Sequence, residues 1–206
     1  MINLLIEVVL VTASGALSPG PLTFSTAMLG VRKGWKAGLF TALGHTIFEF
    51  PLVLVMTVGV VEITKSVWAL DVIGVIGGVA LLAFSVLTLV DLFNTIKGKE
   101  TKTLKVFPNP LVTGLAFTAL NPYFIIWWAT VGLKLITDIV VVGGTLLVAL
   151  LYPFHVWMDY AWLSLVAFLS SKGKSLGQRG QVIIMITLIV ILVYYGVSFL
   201  VNSITK

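Results

Sequence analysis

The sequence predicts an all-α membrane protein with six transmembrane helices, arranged as two inverted repeats of three helices each. Three observations lead to this fold class: the apolar composition, six long apolar segments, and a pattern of polar residues that recurs in both halves. Apolar residues make up 59% of the 206 residues and charged residues only 10%, whereas soluble domains contain about 45–50% and about 25%. A chain of this size has too little interior to bury so many apolar side chains in water. The composition therefore excludes a soluble enzyme, and the absence of cysteine excludes a disulfide scaffold.

Six segments are long enough to cross a bilayer as helices, which takes about 20 residues each. The predicted spans are Asn3–Leu29, Ala37–Val61, Val72–Thr95, Leu111–Leu133, Ile139–Ser170 and Val182–Val201. The alternation typical of membrane β-barrels is absent, so helices are the expected spanning structure. A polar stretch at 97–110 separates residues 1–96 from residues 111–206, with three spans in each part. Because three is an odd number, the two parts are expected to have opposite orientations in the membrane.

The distribution of basic residues predicts the orientation. Ten of the 13 Lys and Arg residues fall in three loops, at 30–36, 97–109 and 171–180. The three others are Lys65, Lys134 and Lys206. Because cytoplasmic loops are enriched in Lys and Arg, these three loops are expected to face the cytoplasm, with both termini outside the cell. The net charge of +5 is explained in the same way, so nucleic acid is not expected as a partner.

Proline is expected to break the first and fourth predicted helices near their middle. The first break consists of Ser18, Pro19, Gly20 and Pro21. The second, milder break consists of Asn121 and Pro122, where Asn can cap the freed backbone. Proline lacks a backbone N–H and clashes with the preceding turn, so a new half-helix should begin after it with unpaired N–H groups and a positive dipole end. Such ends bind anionic substrate groups in transporters; a packing kink is the alternative.

Each half also contains a histidine followed four residues later by an acid. The pairs are His45 with Glu49 and His155 with Asp159, and the chain has no other histidine. A spacing of four places both side chains on one helix face. Because an ionised acid at the bilayer centre costs at least about 2.5–3.5 kcal/mol, both acids are expected to face the interior and bind substrate or protons. For the histidines, tuning of the acid, proton relay, substrate binding and simple packing remain open.

These motifs resemble those of the LysE/RhtB-type amino-acid exporters, over nearly the whole chain. The similar segments are 18–21, the basic turn 32–34, 42–44 before Glu49, 114–122, and the His155, Asp159 and Trp162 set. The resemblance implies a six-helix inner-membrane exporter driven by the proton gradient, with functional positions at Pro19, Gly20, Pro21, Glu49, Asn121 and Pro122. The sequence departs from the family pattern at Leu22, Glu49 and Tyr123, where Asn, Asp and Lys are usual, which leaves the substrate open.

We therefore expect export of an amino acid or similar small zwitterion, by proton antiport. Backbone groups at 18–21, with Asn121, would hold the substrate carboxylate, and Glu49 or Asp159 the ammonium group. Competition between proton and substrate for one carboxylate would couple their movements. No cofactor, resident metal or catalytic residue is expected.

Three alternatives carry less support. Efflux of divalent metal would use His45, Glu49, His155 and Asp159 as a four-ligand site, but the loops lack metal-collecting runs. An intramembrane enzyme is disfavoured because His-Glu-x-x-His and Gly-x-Ser-x-Gly motifs are absent. A purely structural protein would have little use for two acids in the membrane. Gly74 and Gly78 allow close helix packing, for which internal packing is the favoured explanation and a homodimer the alternative.

Overall fold

The apolar segments fold into helices throughout the residues that the structure, a computed structural model, describes: 2–18, 20–63, 66–97, 107–173 and 178–205. No β-strand occurs in these residues. The α-helices are α1 (Ile2–Ala16), α2 (Pro21–Lys33), α3 (Trp35–Ile63), α4 (Val67–Ile96), α5 (Pro110–Ala119), α6 (Pro122–Trp127), α7 (Leu133–Ser171) and α8 (Gln178–Ile204). A π-helical turn, Trp128–Gly132, joins α6 to α7.

Both predicted helix breaks are present. Helix α1 ends at Ala16 and α2 begins at Pro21, with a bend of 69° between the two. Gly20 precedes α2 in an extended conformation, whereas Pro19 lies outside the described residues. The second break separates α5 from α6. There the Asn121 side-chain oxygen accepts a hydrogen bond from the backbone N–H of Tyr123 at 3.1 Å, which is the predicted cap.

The predicted boundary between the fourth and fifth spans was wrong. Residues 134–138, expected to form a loop, lie inside α7, where Lys134 pairs with Asp138 one turn away. The two charges thus satisfy each other within the helix and do not interrupt it. The interruption comes later, at Gly143 and Gly144, whose backbone angles are not helical. Gly144 has φ of 73°, a conformation that glycine adopts without steric cost.

The helices are long and apolar enough to cross a membrane at least four times. The qualifying segments are Trp35–Val61, Trp68–Asn94, Tyr123–Ser171 and Val182–Ile204; α1 with α2 counts as a fifth if the bent pair is taken as one span. Many large apolar side chains are exposed on the outside of the bundle, including Val58, Val86 and Leu146. Such a surface suits lipid rather than water. The fold is therefore an all-helical, membrane-spanning bundle.

Close helix contacts bring the two halves of the chain together. Helix α3 packs along α7, and α4 packs along α8. Gly44 on α3 and Gly114 on α5 face each other's backbone so closely that a Cβ on either would overlap a carbonyl oxygen. The space beside Gly78 is similarly filled by α8, since a Cβ there would meet the Gly196 carbonyl. The Gly74 and Gly78 pair thus packs against α8 inside the chain.

Candidate functional site

A cavity of about 330 Å³ lies between the helix breaks and the two histidine–acid pairs. Its wall includes the start of α2, the middle of α3, the last turns of α4, the end of α5, and α7. The predicted residues that line it are Ser18, Gly20, Pro21, His45, Glu49, Asn121, His155 and Asp159. Segments far apart in the sequence therefore meet at one place. The volume lies at the lower end of the range for small-molecule sites.

Glu49 is the centre of the polar network in this wall. Its side chain is fully buried, and its Oε1 lies 3.0 Å from His45 Nε2 and 3.3 Å from His155 Nε2. Trp128 Nε1 donates to the same oxygen at 3.1 Å, and the Tyr152 hydroxyl donates to Oε2 at 2.9 Å. A buried carboxylate is tolerated only when its oxygens receive hydrogen bonds. Trp128 and Tyr152 donate to Glu49 in any case, and each histidine nitrogen donates when it carries a proton.

The two histidines have matching partners in opposite halves of the chain. His45 Nδ1 lies 2.8 Å from the Thr118 hydroxyl on α5, and His155 Nδ1 lies 2.7 Å from the Thr12 hydroxyl on α1. Each threonine sits on the half-helix that precedes a break, and each histidine sits on the helix pair α3 and α7. Gly44 and Gly114 allow the close approach that brings His45 to Thr118. Both rings are thereby aimed with Nε2 at Glu49.

Asp159 has a different environment from Glu49. It is buried and lines the cavity, and its Oδ1 lies 3.9 Å from His45 Nε2. That is an ion-pair distance and too long for a hydrogen bond. Among the hydrogen bonds of the described residues, no side chain donates to Asp159. Of the two acids, Asp159 is therefore the one with acceptor capacity left for a ligand.

The start of α2 lies in the cavity wall and has backbone N–H groups without a helical partner. Leu22 and Thr23 line it, and their amides fall in the first turn, where no helical carbonyl precedes them. The first amide with such a partner is that of Phe24, which donates to the Gly20 carbonyl. Asn121 also lines the cavity, but its side-chain oxygen is already used to cap α6. Only its amide nitrogen is left to donate to a ligand.

Two of the predicted residues fall outside this description. Pro19 is not among the described residues, and only the backbone of Pro122, as the first residue of α6, is described. The basic loops are partly outside as well, at 98–106 and 174–177. Every other predicted site residue lies in the cavity wall.

Four residues that hold the network together were not predicted as site residues from the sequence: Thr12, Thr118, Trp128 and Tyr152. Tyr152 could have been found, because it precedes His155 by three residues and so shares its helix face. Thr12 and Thr118 each lie within two turns before a proline break, a parallel that two inverted halves would produce. Trp128 gives no such signal, since its position depends on the π-helical turn.

The hydrogen bonds also bear on whether a metal ion could be the cargo. His45, Glu49 and Asp159 each offer one ligand atom within 4.8 Å of the other two. However, Glu49 Oε1 is surrounded by three ring nitrogens, one of which is the indole N–H of Trp128. An indole nitrogen donates a hydrogen and does not bind metal. The arrangement suits an oxygen that accepts hydrogens better than one that binds a divalent cation.

Comparison with known proteins now gives the family. A family profile described as LysE type translocator matches residues 13–203, which includes both breaks and both histidine–acid pairs. No curated protein and no solved structure matches the chain significantly. The match covers nearly the whole chain and agrees with the membrane-spanning bundle described above. The chain therefore belongs to the LysE type translocator family, and is a multi-pass membrane protein that transports a small-molecule substrate.

Proposed function

We propose that this translocator exports an amino acid or a similar small zwitterion in exchange for protons, through the cavity centred on Glu49 and Asp159. The observation that carries the proposal is the distribution of polar groups around the cavity. Hydrogen-bond donors lie at the start of α2, and acceptors lie on α3 and α7. A zwitterion has the opposite distribution, with a carboxylate to accept and an ammonium group to donate.

The acceptor end brings together three groups that one ammonium group could bridge. Three acceptors that share one ammonium nitrogen through bonds of about 2.8 Å lie about 4.6 Å apart. His45 Nε2 lies 3.0 Å from Glu49 Oε1 and 3.9 Å from Asp159 Oδ1, so the side chains would move apart by about 1 Å to receive the ammonium nitrogen between them. Asp159 supplies the negative charge that is not already satisfied by protein donors. We assign the ammonium group to Asp159, with His45 and Glu49 beside it.

The donor end suits the carboxylate. Leu22 and Thr23 lie in the cavity wall, and their amides belong to the first turn of α2, at the positive end of its dipole, which attracts anions. The Asn121 amide group lies in the same wall and adds a second kind of donor. Ser18 and Gly20 shape the backbone that leads into α2. Proline at the first position of α2 costs no hydrogen bond, because that N–H would be unpaired in any case.

Glu49 is the proposed proton carrier, together with His45. Its location in the interior, away from lipid, is typical of proton relays in transporters. Because the ammonium site lies against His45 and Glu49, substrate and proton compete for overlapping space. Binding of one then requires release of the other, and this competition is an antiport mechanism.

A six-span inverted repeat is the arrangement that best accommodates these helices. The segment Tyr123–Ser171 has 49 residues, which as a helix would be about 74 Å long and more than twice the hydrocarbon thickness of about 30 Å. The break at Gly143 and Gly144 would divide it into two spans. The pairing of α3 with α7 and of α4 with α8 also supports two related halves at 1–96 and 111–206. The basic loops would then face the cytoplasm of a plasma-membrane protein.

A thermal-shift screen of the purified protein tests the proposed function. Ligands that bind the folded state raise its melting temperature by mass action. At least one amino acid should raise the melting temperature of the parent and not that of Asp159→Asn. Asp91→Asn is the matched control, because Asp91 also lines the cavity but is exposed, and it should respond like the parent. Stabilisation by divalent metals alone would contradict the proposal.

A further inference from the structure

The Thr118 hydroxyl has only one proton, and the structure shows where that proton goes. Thr118 Oγ1 donates to the Gly114 carbonyl oxygen, which lies 2.7 Å away. Two oxygens this close need a hydrogen between them. His45 Nδ1, at 2.8 Å from the same hydroxyl, must therefore be the donor of their shared hydrogen bond. His45 thus carries a proton on Nδ1.

The contact between the other nitrogen of this ring, Nε2, and Glu49 then depends on a second proton. A neutral imidazole with its proton on Nδ1 has a lone pair on Nε2. This lone pair would point at Glu49 Oε1 across 3.0 Å, and two acceptors at this distance repel each other. The contact is favourable only when a further proton lies between Nε2 and Oε1. That proton is held by the ring or by the carboxyl group, and leaves when the pair is deprotonated.

His155 is in the opposite situation. Among the described residues, the Thr12 hydroxyl has His155 Nδ1 as its only partner. Thr12 can therefore donate to Nδ1, which leaves the ring proton on Nε2. From there it donates to Glu49 Oε1 at 3.3 Å, so neutral His155 is satisfied without a further proton. The two histidines, alike in sequence, differ in their tautomers.

We propose that Thr118 is a positioning residue that holds His45 in its Nδ1–H form, so that the exchangeable proton resides between His45 Nε2 and Glu49 Oε1. This inference rests on the proposed proton coupling and gives it an atomic location. Departure of the proton leaves two facing acceptors, Nε2 and Oε1, with Asp159 beside them. An ammonium group can donate to all three, so the substrate replaces the proton at the same place.

Among the described residues, the charged and titratable groups around His45 and its partner oxygen come from α3 and α7. Glu49 lies on the same helix, and Asp159 and His155 reach the ring or its partner oxygen from α7. Tyr152 and Trp128 donate to Glu49 and so favour its carboxylate form. From α6, the ring of Phe124 lies against His45, edge to face at 5.4 Å. A proton that binds at this place is therefore surrounded by Glu49, Asp159 and the ring of His155.

Solid-state ¹⁵N NMR of the full-length protein in lipid bilayers, with labelled histidine rings, tests the inference directly. The chain has two histidines, so the signals of four ring nitrogens determine both tautomers. We expect one ring with Nδ1 protonated at every pH, and one neutral ring with the proton on Nε2. In Thr118→Val the first ring should change to the Nε2–H form, whereas Thr118→Ser should keep the parent spectrum. Thr12→Val is the matched control and should leave the first ring unchanged.

Transport provides a second readout. In Thr118→Val the pH of half-maximal proton-driven transport should fall by about one unit, a tenfold change in proton affinity. Thr57→Val should retain the parent value, because the buried Thr57 hydroxyl donates only to the Val53 carbonyl of its own helix. Two rings of the same tautomer in the parent, or a Thr118→Val spectrum identical to the parent, would overturn the inference. If Thr118→Val does not fold, the parent spectrum decides alone. If the two rings differ in tautomer but the protein transports no amino acid, the proposed function is overturned and the inference about the tautomers is retained.

Discussion

Tyr152 on α7 donates its hydroxyl proton to Glu49 Oε2 on α3 over 2.9 Å. In the described part of the chain it is the only donor to that oxygen, because His45, His155 and Trp128 all approach Oε1. The bond joins the two helices that carry the histidine–acid pairs, and fixes the carboxylate plane. It thereby determines which oxygen faces His45.

Tyr152→Phe removes this bond and retains the ring. Hydrogen bonds to charged groups contribute about 1.5–3 kcal/mol, so we expect the free energy of unfolding to decrease by about that amount. Thermal unfolding in detergent or lipid nanodiscs measures the change. Tyr194→Phe is the control, since Tyr194 is 66% exposed and should have no effect. Equal melting temperatures for all three proteins would mean that the bond to Glu49 does not stabilise the fold.

Glu49→Gln should abolish proton-driven transport without unfolding the protein. Glutamine can accept from the groups at Oε1 and donate its amide hydrogen to the Tyr152 hydroxyl, so the network keeps its shape but loses a titrating group. In proteoliposomes the variant should still exchange substrate for substrate, while an imposed pH gradient should drive no uptake. Asp91→Asn should retain both activities. Gradient-driven uptake at the parent rate in Glu49→Gln would show that Glu49 is not the proton carrier.

Gly114→Ala should destabilise the contact between α3 and α5. A Cβ at this position would overlap the Thr41 carbonyl oxygen, and overpacking costs typically about 1–3 kcal/mol. Because the same contact brings Thr118 to His45, substrate affinity should fall as well. Gly59→Ala is the control: Gly59 is exposed on α3, and a Cβ there would meet nothing within 4 Å. A stable, fully active Gly114→Ala protein would contradict the observed packing.

The orientation can be tested by cysteine labelling, because the chain has no cysteine of its own. Lys36→Cys and Lys172→Cys should be protected from a membrane-impermeant thiol reagent in intact cells, whereas Ser66→Cys and Thr205→Cys should react. All four positions are exposed in the structure, so protection reports the side of the membrane. The reverse pattern would invert the orientation predicted from the basic loops.

Histidine substitutions separate amino-acid export from metal export. If the histidines orient and tune the acids, His45→Gln and His155→Gln should change the pH dependence of transport and leave amino-acid affinity within about tenfold. If they bind a divalent metal, loss of either should remove tight metal binding. Titration of the parent and both variants with zinc, nickel and amino acids gives the comparison. Tight metal binding that both variants lose, without any response to amino acids, would favour metal efflux.

Much of the fold follows from local sequence rules. Proline breaks were predicted at the first and fourth helices because proline cannot continue a helix, and α2 and α6 begin at Pro21 and Pro122. The end of the fourth span was not predicted correctly, because Lys134 and Asp138 were interpreted as a polar loop. Paired charges on one helix face can remain within a helix, whereas the two adjacent glycines provide the actual break.

The site was predictable only where residues share an element. His45 with Glu49, and His155 with Asp159, could be paired because a spacing of four defines one helix face. The partners that decide the chemistry come from other helices: Thr118 from α5, Thr12 from α1 and Trp128 from the π-helical turn. No pattern within one segment contains this information. Glu49 has four partners, whereas Asp159 can still accept hydrogen bonds from a ligand. This difference depends on packing alone.

The most direct test of the account is to measure proton movement driven by an amino-acid gradient. Proteoliposomes containing a pH-sensitive dye would start with equal pH on both sides and an amino acid on one side only. In the parent we expect a proton flux opposite in direction to the amino-acid flux. In Glu49→Gln we expect no proton flux. Amino-acid flux without proton movement, or proton movement only with divalent metals, would contradict it.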